Sequence, residues 1–399
     1  MSKQSFAELG VSRAVCGALS RRNITAPFPV QRLVLEDALA GRDVLVKSPT
    51  GSGKTLAFGI PVAERLERGG KGPGALVLAP TRELARQILD ELNDLLAAKG
   101  LRSTAVYGGV GLTAQAQRAA KADLLVATPG RLEDLLARGA FTLDRVGVLV
   151  LDEADRMLDM GFRPAIDRIV RACPTKRQTL LFSATLDGVT GEVAGRYTTE
   201  AIAHEHGAPA GKYDAAQIEH RFVAVRNGQR IPALVEQLDG ERDRAIVFVR
   251  TKHGAERLVK QLDAHGLKAV SLHGNKSQGQ RDRALSSFQS GKVDTLVATD
   301  IAARGIDVDG VSHVVNFDPP ADEQAYIHRI GRTGRAGERG IGVTLVGEDQ
   351  HREMHQLARR LGLSHGLAGT EERHGTSSER TAPTRSRRRR RGRERQASS

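Results

Sequence analysis

The stretch VGVLVLDEAD, residues 146–155, places an uninterrupted apolar run directly before three carboxylates, Asp152, Glu153 and Asp155. The run is short, rich in valine and leucine and free of polar alternation, which is typical of a strand buried on both faces of a sheet. Three like charges at a strand end repel one another, so we expect them to face a ligand rather than solvent. The alternative is a solvated, acidic helix start, since Asp and Glu favour the first turn of a helix.

Runs of the same kind recur along the chain, interleaved with amphipathic helical patterns. In the first half they lie at 43–48, 75–80, 123–129 and 179–185. After a Gly/Ala-rich stretch, 204–217, they return at 220–225, 244–249, 268–274, 294–300, 312–318 and 340–347. This alternation predicts the α/β class with doubly wound parallel sheets.

The long polar break predicts two similar domains; one large continuous sheet is the less favoured alternative. We place the first domain at 1–206, a short linker at 207–217 and the second domain at 218–365. Chemically unusual residues follow the predicted strand ends, which is where open α/β sheets bind their ligands. The ligand site is therefore expected along these edges.

Charge and cysteine content restrict the class of protein. The 399 residues carry a formal net charge of +13, and eight arginines lie within residues 384–395. Such a run cannot form a core, so we predict a disordered, Arg-rich tail, 366–399, that favours phosphate backbones. A solubilising tail or a targeting signal is the alternative. Two cysteines exclude a disulfide framework and a four-ligand zinc site. No apolar run reaches the ~20 residues of a membrane span, so we expect a cytoplasmic protein without membrane contact.

The stretch SPTGSGKT, residues 48–55, has the context of a phosphate-binding loop, because it follows a predicted strand and opens a helix. Gly51 and Gly53 let backbone N–H groups turn toward phosphate oxygens. Thr50 precedes the first of these glycines, and Ser52 lies between the two. Lys54 would reach the β- and γ-phosphates, and the Thr55 hydroxyl would ligate Mg²⁺. Ser48 stands where the motif has its first glycine, a position that needs only a small residue. The alternative is a Gly-rich turn without a ligand.

A phosphate-binding loop needs a second strand that ends in a carboxylate to hold the metal's water shell, and Asp152 suits that role. Glu153 can orient or deprotonate the attacking water. Asp155 is better placed to contact neighbouring motifs than to share the ion.

Together, these motifs resemble the DEAD-box family of ATP-dependent RNA helicases. DEAD and SPTGSGKT are joined, in the family's order, by PTREL (80–84), TPGR (128–131), SAT (183–185), TDIAARGID (299–307) and HRIGRTGR (328–335). The resemblance implies two tandem RecA-like domains, ATP and Mg²⁺ as cofactors, and RNA as partner. It also implies RNA-stimulated ATP hydrolysis coupled to local unwinding of short RNA duplexes or remodelling of RNA–protein complexes.

Adenine selection is similar to the family's glutamine motif, here NITAPFPVQ at 23–31. Gln31 carries an amide that can accept from and donate to an adenine edge at once. Phe6 matches the family's isolated upstream aromatic that packs on the base. Two positions depart from the family pattern: Asn23 stands where glycine is usual, and Phe28 where threonine is usual.

The resemblance assigns roles in the second domain and in coupling. Arg332 and Arg335 would face the γ-phosphate as arginine fingers; an RNA-contacting basic turn is the alternative. Gly305 and Asp307 would approach the ribose and phosphates. The residues that link hydrolysis to strand separation would be Asp155, Ser183, Thr185 and His328.

RNA contacts implied by the resemblance go to the backbone. They are Arg82, Gly109, Thr128 and Arg131 in the first domain and Gly274, Arg281 and Thr299 in the second. With no Trp, four Tyr and ten Phe, the chain is poor in stacking platforms. RNA of any sequence is therefore expected to bind, through backbone and 2′-hydroxyl groups.

Two other functions remain open on the sequence. An ATP-gated RNA clamp or annealing chaperone would use the same residues, whereas a DNA translocase predicts other motifs in place of DEAD. We expect a monomer. Ribosomal or RNA-decay partners are conceivable, but nothing in the sequence shows them.

Overall fold

The computed structural model describes residues 4–49, 51–206, 218–240, 242–303, 308, 310–334 and 338–363. Within these residues every strand pairing is parallel. The strands form a seven-stranded sheet in the first half and a six-stranded sheet in the second. The predicted α/β class with two parallel sheets is confirmed.

The strands are short, mostly four to six residues. In the first sheet they are β1 (Val44–Lys47), β2 (Ala75–Leu78), β3 (Ser103–Val106), β4 (Leu124–Ala127), β5 (Val148–Leu151), β6 (Gln178–Ser183) and β7 (Ile202–Glu205). In the second they are β8 (Ile218–Val225), β9 (Arg244–Phe248), β10 (Ala269–Leu272), β11 (Thr295–Ala298), β12 (Val311–Asn316) and β13 (Gly340–Gly347).

Helices connect the strands in both halves. In the first half they are α1 (Arg13–Arg21), α2 (Pro29–Leu39), α3 (Lys54–Arg65), α4 (Arg82–Ala98), α5 (Leu112–Ala119), α6 (Pro129–Ala137), α7 (Ala154–Asp159), α8 (Arg163–Ala172) and α9 (Gly188–Tyr197). In the second they are α10 (Arg230–Leu238), α11 (Lys252–Ala264), α12 (Gln278–Gln289), α13 (Asp300–Ala303), α14 (Glu323–Ile330) and α15 (His351–Arg360), with a 3₁₀ turn at Glu348–Gln350.

Helices cover both faces of each sheet, so alternate residues of a central strand enter opposite cores. In β2, Ala75 and Val77 pack with helices α1–α4, whereas Leu76 and Leu78 pack with helices α5–α9. In β9 the neighbours Val247 and Phe248 likewise belong to separate cores. This two-sided burial explains why the strand sequences are continuously apolar.

The strand order places the chemically unusual loops side by side. The first sheet runs β3-β4-β2-β5-β6-β1-β7. The phosphate-loop stretch after β1, the SAT stretch at the end of β6 and the DEAD stretch after β5 thus follow three adjacent strands. Since all strands are parallel, these loops meet at one edge of the sheet.

The first sheet differs from the sequence prediction at its two edges. β3 and β7 were not predicted, and both are edge strands. β7 alternates half-buried and exposed residues, so it lacks the apolar run of a strand covered on both faces. No described helix is both long and apolar enough to cross a membrane.

Close packing between α3 and α4 gives a testable prediction. A Cβ built on Gly59 would lie 2.0 Å from Cδ2 of Leu92, which is fully buried. Gly59→Ala should therefore lower the free energy of unfolding by about 1–3 kcal/mol, measured by urea denaturation followed by circular dichroism. Gly195→Ala is the control: this exposed glycine of α9 has nothing within 4 Å of its added Cβ, so alanine should be neutral or stabilising by up to about 1 kcal/mol. Equal changes in the free energy of unfolding for Gly59→Ala and Gly195→Ala would contradict the close packing of Gly59 against Leu92.

Candidate nucleotide and RNA site

The loop after β1 has the backbone that a phosphate cradle requires. Gly51 and Gly53 have φ of 80° and 90°, a left-handed conformation that disfavours other residues. Lys54 begins α3, is buried, and donates from Nζ to the carbonyl of Ser48 at 3.0 Å. Ser48 is itself buried, and its backbone N–H donates to Ser183 O of the neighbouring strand at 2.9 Å. The loop therefore holds a lysine ammonium at the start of a helix, where anions are favoured.

Asp155 contacts the SAT stretch directly. Its Oδ2 accepts hydrogen bonds from the backbone N–H groups of Ala184 at 3.0 Å and Thr185 at 3.1 Å. The Thr185 hydroxyl lies 3.4 Å from the same oxygen, and the Asp155 N–H donates to Ser183 Oγ at 3.3 Å. The third carboxylate thus joins the ends of β5 and β6.

Glu153 is buried and lies in the field of cations from both halves of the chain. Burial alone would raise the pKa of its carboxyl, but the charges of Arg156, Lys54 and Arg332 outweigh it and lower the pKa to about 2. Arg156 forms an ion pair with Glu153, while Arg332 follows α14 in the second half. Glu153 also has a φ of 52°, uncommon for a residue with a side chain. Its carboxylate is thus kept ionised at a strained, fixed position.

Asp152 is in the opposite electrostatic situation. Burial and the neighbouring charges of Glu153 and Asp155 raise its pKa to about 7, although Lys54 opposes the shift. One oxygen accepts from the Glu153 N–H at 3.0 Å. The carboxylate is therefore short of positive charge.

The residues present fit a Mg²⁺ ion held together with a nucleotide. In the described part of the chain no group of three or more His, Cys, Asp and Glu is arranged to hold a metal by itself. Mg²⁺ keeps several waters and binds through one or two carboxylates plus substrate phosphates. The uncompensated charge of Asp152 and the half-buried hydroxyl of Thr55 supply that limited donor set.

The base-selecting residues have distinct environments. Gln31 is 1% exposed; its Oε1 accepts from Phe28 N at 2.9 Å and its Nε2 donates to Gly53 O at 3.0 Å. Phe6 is 4% exposed and lies in the core of the first half. Asn23 has a φ of 60°, which explains why glycine suits this position and why asparagine, the next most tolerant residue, is accepted.

Arginines from both halves approach one another on the RNA-binding side predicted from the sequence. Burial lowers the pKa of Arg82, and the like charges of Arg281 and Arg131 lower it further. Arg82 lies against Gly109, where a Cβ would come within 2.2 Å of its Nη1, and Arg131 donates to Val110 O at 3.0 Å. Such a concentration of positive charge is relieved by an anion such as a phosphate.

Two ion pairs join the halves beside this cluster. Arg281 Nε donates to Glu83 Oε1 at 2.6 Å; Arg281 is buried and Glu83 is partly buried. Arg86 donates to Asp282 at 2.6 Å in a half-exposed pair. Arg281 is thus occupied in a contact between the halves, and a direct contact of this side chain with RNA stays a prediction.

The second half brings its predicted residues to the carboxyl ends of β10 and β11. Thr299 is buried at the end of β11, and Gly274 follows β10. Asp300 receives a bidentate pair from Arg329, at 2.5 and 2.8 Å. His328 lines a small cavity with Asp300, Arg329 and, from the first half, Arg156.

Several predicted residues are not described. Thr50, Gly305, Asp307 and Arg335 lie outside the described residues, as do the linker, 207–217, and the tail, 366–399. Thr128 is the N-cap residue that precedes α6, and it is buried. For the other site residues the structure gives positions, and the roles of all of them stay predictions.

Two buried arginines near the site were not predicted from the sequence. Arg156 is buried, holds Glu153, and its Nε and Nη2 have no hydrogen-bond partner among the described residues. Arg329 is buried and donates to Asp300, to Asn316 Oδ1 and to Asp318 O. Their positions within DEADR and HRIGR were the available signal, but a charged residue on a helix normally indicates a solvated face.

Comparison with known proteins places both halves in described families. The DEAD/DEAH box helicase model matches residues 28–193, and the helicase conserved C-terminal domain matches residues 229–337. Each match falls inside one of the two predicted domains.

Whole-chain relatives agree with these matches. The ATP-dependent RNA helicase CshA of Listeria monocytogenes is 41% identical over 356 residues, which cover 88% of this chain and 67% of that protein. The DEAD-box ATP-dependent RNA helicase CshA of Geobacillus kaustophilus is 40% identical over 357 residues, covering 89% and 76%. Among solved structures, S. cerevisiae Dbp5 bound to RNA and ADP BeF3 is similar with a TM-score of 0.80 at 30% identity, covering 90% of this chain and 94% of that one.

The buried pair of Arg156 and Glu153 predicts an asymmetry in stability. Arg156→Ala leaves a buried carboxylate without its nearest partner and should lower the free energy of unfolding by about 3 kcal/mol in urea denaturation. Arg168→Ala, which breaks the exposed pair with Glu133, is the control and should leave it unchanged within error. Removing Glu153 as well should recover part of the loss. Equal losses of unfolding free energy for Arg156→Ala and Arg168→Ala would show that the buried pair contributes no more to stability than the exposed one.

Proposed function

This chain belongs to the DEAD-box family of ATP-dependent RNA helicases, and on that premise we propose that RNA and ATP together close its two halves and that hydrolysis releases them. The substrates are ATP and RNA, and the work done is local opening of short RNA duplexes. RNA–protein complexes are remodelled by the same cycle.

One observation carries the proposal: Arg332 of the second half acts electrostatically on Glu153 of the first. Neither half alone contains both groups. A site completed only when the halves meet makes hydrolysis conditional on their closure. The partly buried Glu83–Arg281 pair, at 2.6 Å, supports the same arrangement on the RNA side.

The residues of the first half have separate roles in ATP hydrolysis. The phosphate loop and Lys54 bind and orient the phosphates, and Thr55 and Asp152 would hold Mg²⁺, which neutralises charge on the phosphate oxygens. Glu153, ionised because its pKa is low, accepts a proton from, or orients, the attacking water. Arg156 positions Glu153 through their ion pair.

The second half stabilises the charge that develops in the reaction. Arg332 is buried and its Nε donates to His328 O at 3.1 Å, which fixes the guanidinium. An arginine held in this way and presented from another domain suits a transferring phosphoryl group. Arg335, Gly305 and Asp307 are proposed, from the family motifs, to complete this side of the site.

Coupling to RNA is proposed to run through Asp155. Its bonds to Ala184 and Thr185 tie the carboxylate strand to the SAT stretch, and its neighbour Arg156 reaches the cavity that His328 lines. A shift at the cleaved nucleotide would thus move groups at the boundary between the halves.

RNA is proposed to bind across both halves through its backbone. Arg82 and Arg131, with the Gly109 turn, offer charge and close approach in the first half, and Thr128, Gly274 and Thr299 offer small or hydroxyl groups. No observation favours a clamp or annealing role over unwinding. A cytoplasmic location and a monomeric state stay predictions.

ATP hydrolysis measured with Mg²⁺, with and without single-stranded RNA, tests the proposal, and DNA of equal length is the control nucleic acid. We expect strong stimulation by RNA alone. Glu153→Gln should bind ATP and RNA but lose roughly 10²–10⁴-fold in turnover, whereas Glu192→Gln, at an exposed position of α9, should not. Hydrolysis indifferent to RNA would contradict RNA-driven closure.

Arg332 gives an independent prediction for the second half. Arg332→Ala should lower kcat by roughly 10³-fold or more while ATP affinity changes far less, since the guanidinium acts on charge that develops during transfer. Arg360→Ala, which breaks an exposed pair with Glu323, is the control. A fall in affinity without a fall in kcat would make Arg332 a binding residue instead.

A further inference from the structure

Phe28 is an exposed aromatic side chain beside the phosphate loop. It is 58% exposed, more than any other large apolar side chain in the described part of the chain. A Cβ built on Gly53 would lie 2.6 Å from Phe28 Cδ2 and 2.9 Å from Gln31 Nε2. The ring therefore lies against the last glycine of the loop, next to the amide that is expected to read adenine.

Gln31 is held by two backbone groups rather than presented to solvent. Its Oε1 and Nε2 are committed to Phe28 N and Gly53 O. Each atom retains one further hydrogen-bonding position, because an amide oxygen accepts twice and an amide nitrogen donates twice. With 1% exposure, however, the Gln31 side chain is covered, whereas the Phe28 ring beside Gly53 is open to an arriving base.

Phe6, the other aromatic assigned to the base, is 4% exposed and packed in the core of the first half. It has little free ring surface to offer. Phe28 has more than half of its surface free, and an exposed phenyl group costs free energy in water that a ligand can recover. Among the described residues near the loop, Phe28 thus supplies the accessible aromatic face.

We propose that Phe28 is a base-contacting residue of the nucleotide site, whose ring stacks on the purine of the bound nucleotide. This inference rests on the proposed nucleotide-binding function and adds a contact to it. Stacking depends on the π-face, which every base has. Phe28 therefore contributes affinity for adenine and guanine nucleotides alike, and the discrimination between them stays with Gln31.

The absence of tryptophan from the chain makes the contact directly observable. Phe28→Trp introduces a single indole, whose fluorescence should be quenched by ADP and by GDP but not by inorganic tripolyphosphate, all with Mg²⁺. Leu33→Trp is the matched control, since Leu33 lies on α2, which begins directly after Phe28, and is 42% exposed, but no Leu33 atom is near a Cβ built on Gly53. Its fluorescence should not respond to any of the three.

Calorimetry of the full chain measures the size of the contribution. Phe28→Ala and Phe28→Thr should weaken ADP and GDP by the same factor, about tenfold, and leave tripolyphosphate unchanged. Leu33→Ala should bind all three as the unsubstituted chain does.

The outcomes separate this inference from the proposed function. If the unsubstituted chain binds ADP and hydrolyses ATP while Phe28→Ala binds ADP equally well and Phe28→Trp is not quenched, the stacking role is wrong and the helicase assignment is untouched. If the unsubstituted chain binds neither ADP nor tripolyphosphate, the nucleotide site itself fails. If Phe28→Ala does not fold, quenching of Phe28→Trp still decides the question. If Phe28→Ala lost affinity for ADP but not for GDP, Phe28 would be an adenine-selecting residue, and the proposal that it stacks equally on both purines would be wrong.

Discussion

The burial of negative charge at the end of β5 is the constraint on which the site depends. Asp152, Glu153 and Asp155 are all buried, and carboxylates leave water only when other groups compensate their charge or hydrogen-bonding capacity. Each is compensated differently: Glu153 by cations from both halves, Asp155 by backbone N–H groups of the SAT stretch, and Asp152 only in part by Lys54. The residual deficit at Asp152 is what a nucleotide-bound Mg²⁺ would remove.

The parallel sheet makes this arrangement possible at low cost. Adjacent strands β5, β6 and β1 end at the same edge, so residues distant in sequence converge without long loops. Within a rigid sheet covered on both faces, Glu153 can be held at a φ of 52°, because the surrounding core resists relaxation. In the proposed function, the charge of Arg332 from the second half acts on Glu153 at that edge, so that hydrolysis depends on the two halves being together.

Sequence patterns were sufficient for the central strands, because these depend on local signals, whereas the roles of the motif residues stay predictions. β2, β4 and β5 are buried at every position and read as apolar runs, whereas β7 is an edge strand whose residues alternate in burial. Arg156 and Arg329 were not predicted, because a buried arginine can be identified only from its partners. Those partners, Glu153, Asp300 and Asn316, come into contact with the arginines only in the folded chain. Phe28 was visible as a departure from the family pattern, but its exposure and its contact with Gly53 were not.

In the proposed function, one closure of the two halves serves both ligands. Glu83 and Arg281 form an ion pair across the halves near Arg82, while the charge of Arg332 helps to lower the pKa of Glu153. Arg281, Arg82 and Arg131 carry like charges, so their side chains repel one another unless a negatively charged group lies among them. Glu83 offsets part of that repulsion, and an RNA phosphate would offset more. If closure works as proposed, RNA favours the arrangement in which Arg332 acts on Glu153, and by reciprocity a nucleotide that draws in Arg332 strengthens the binding of RNA.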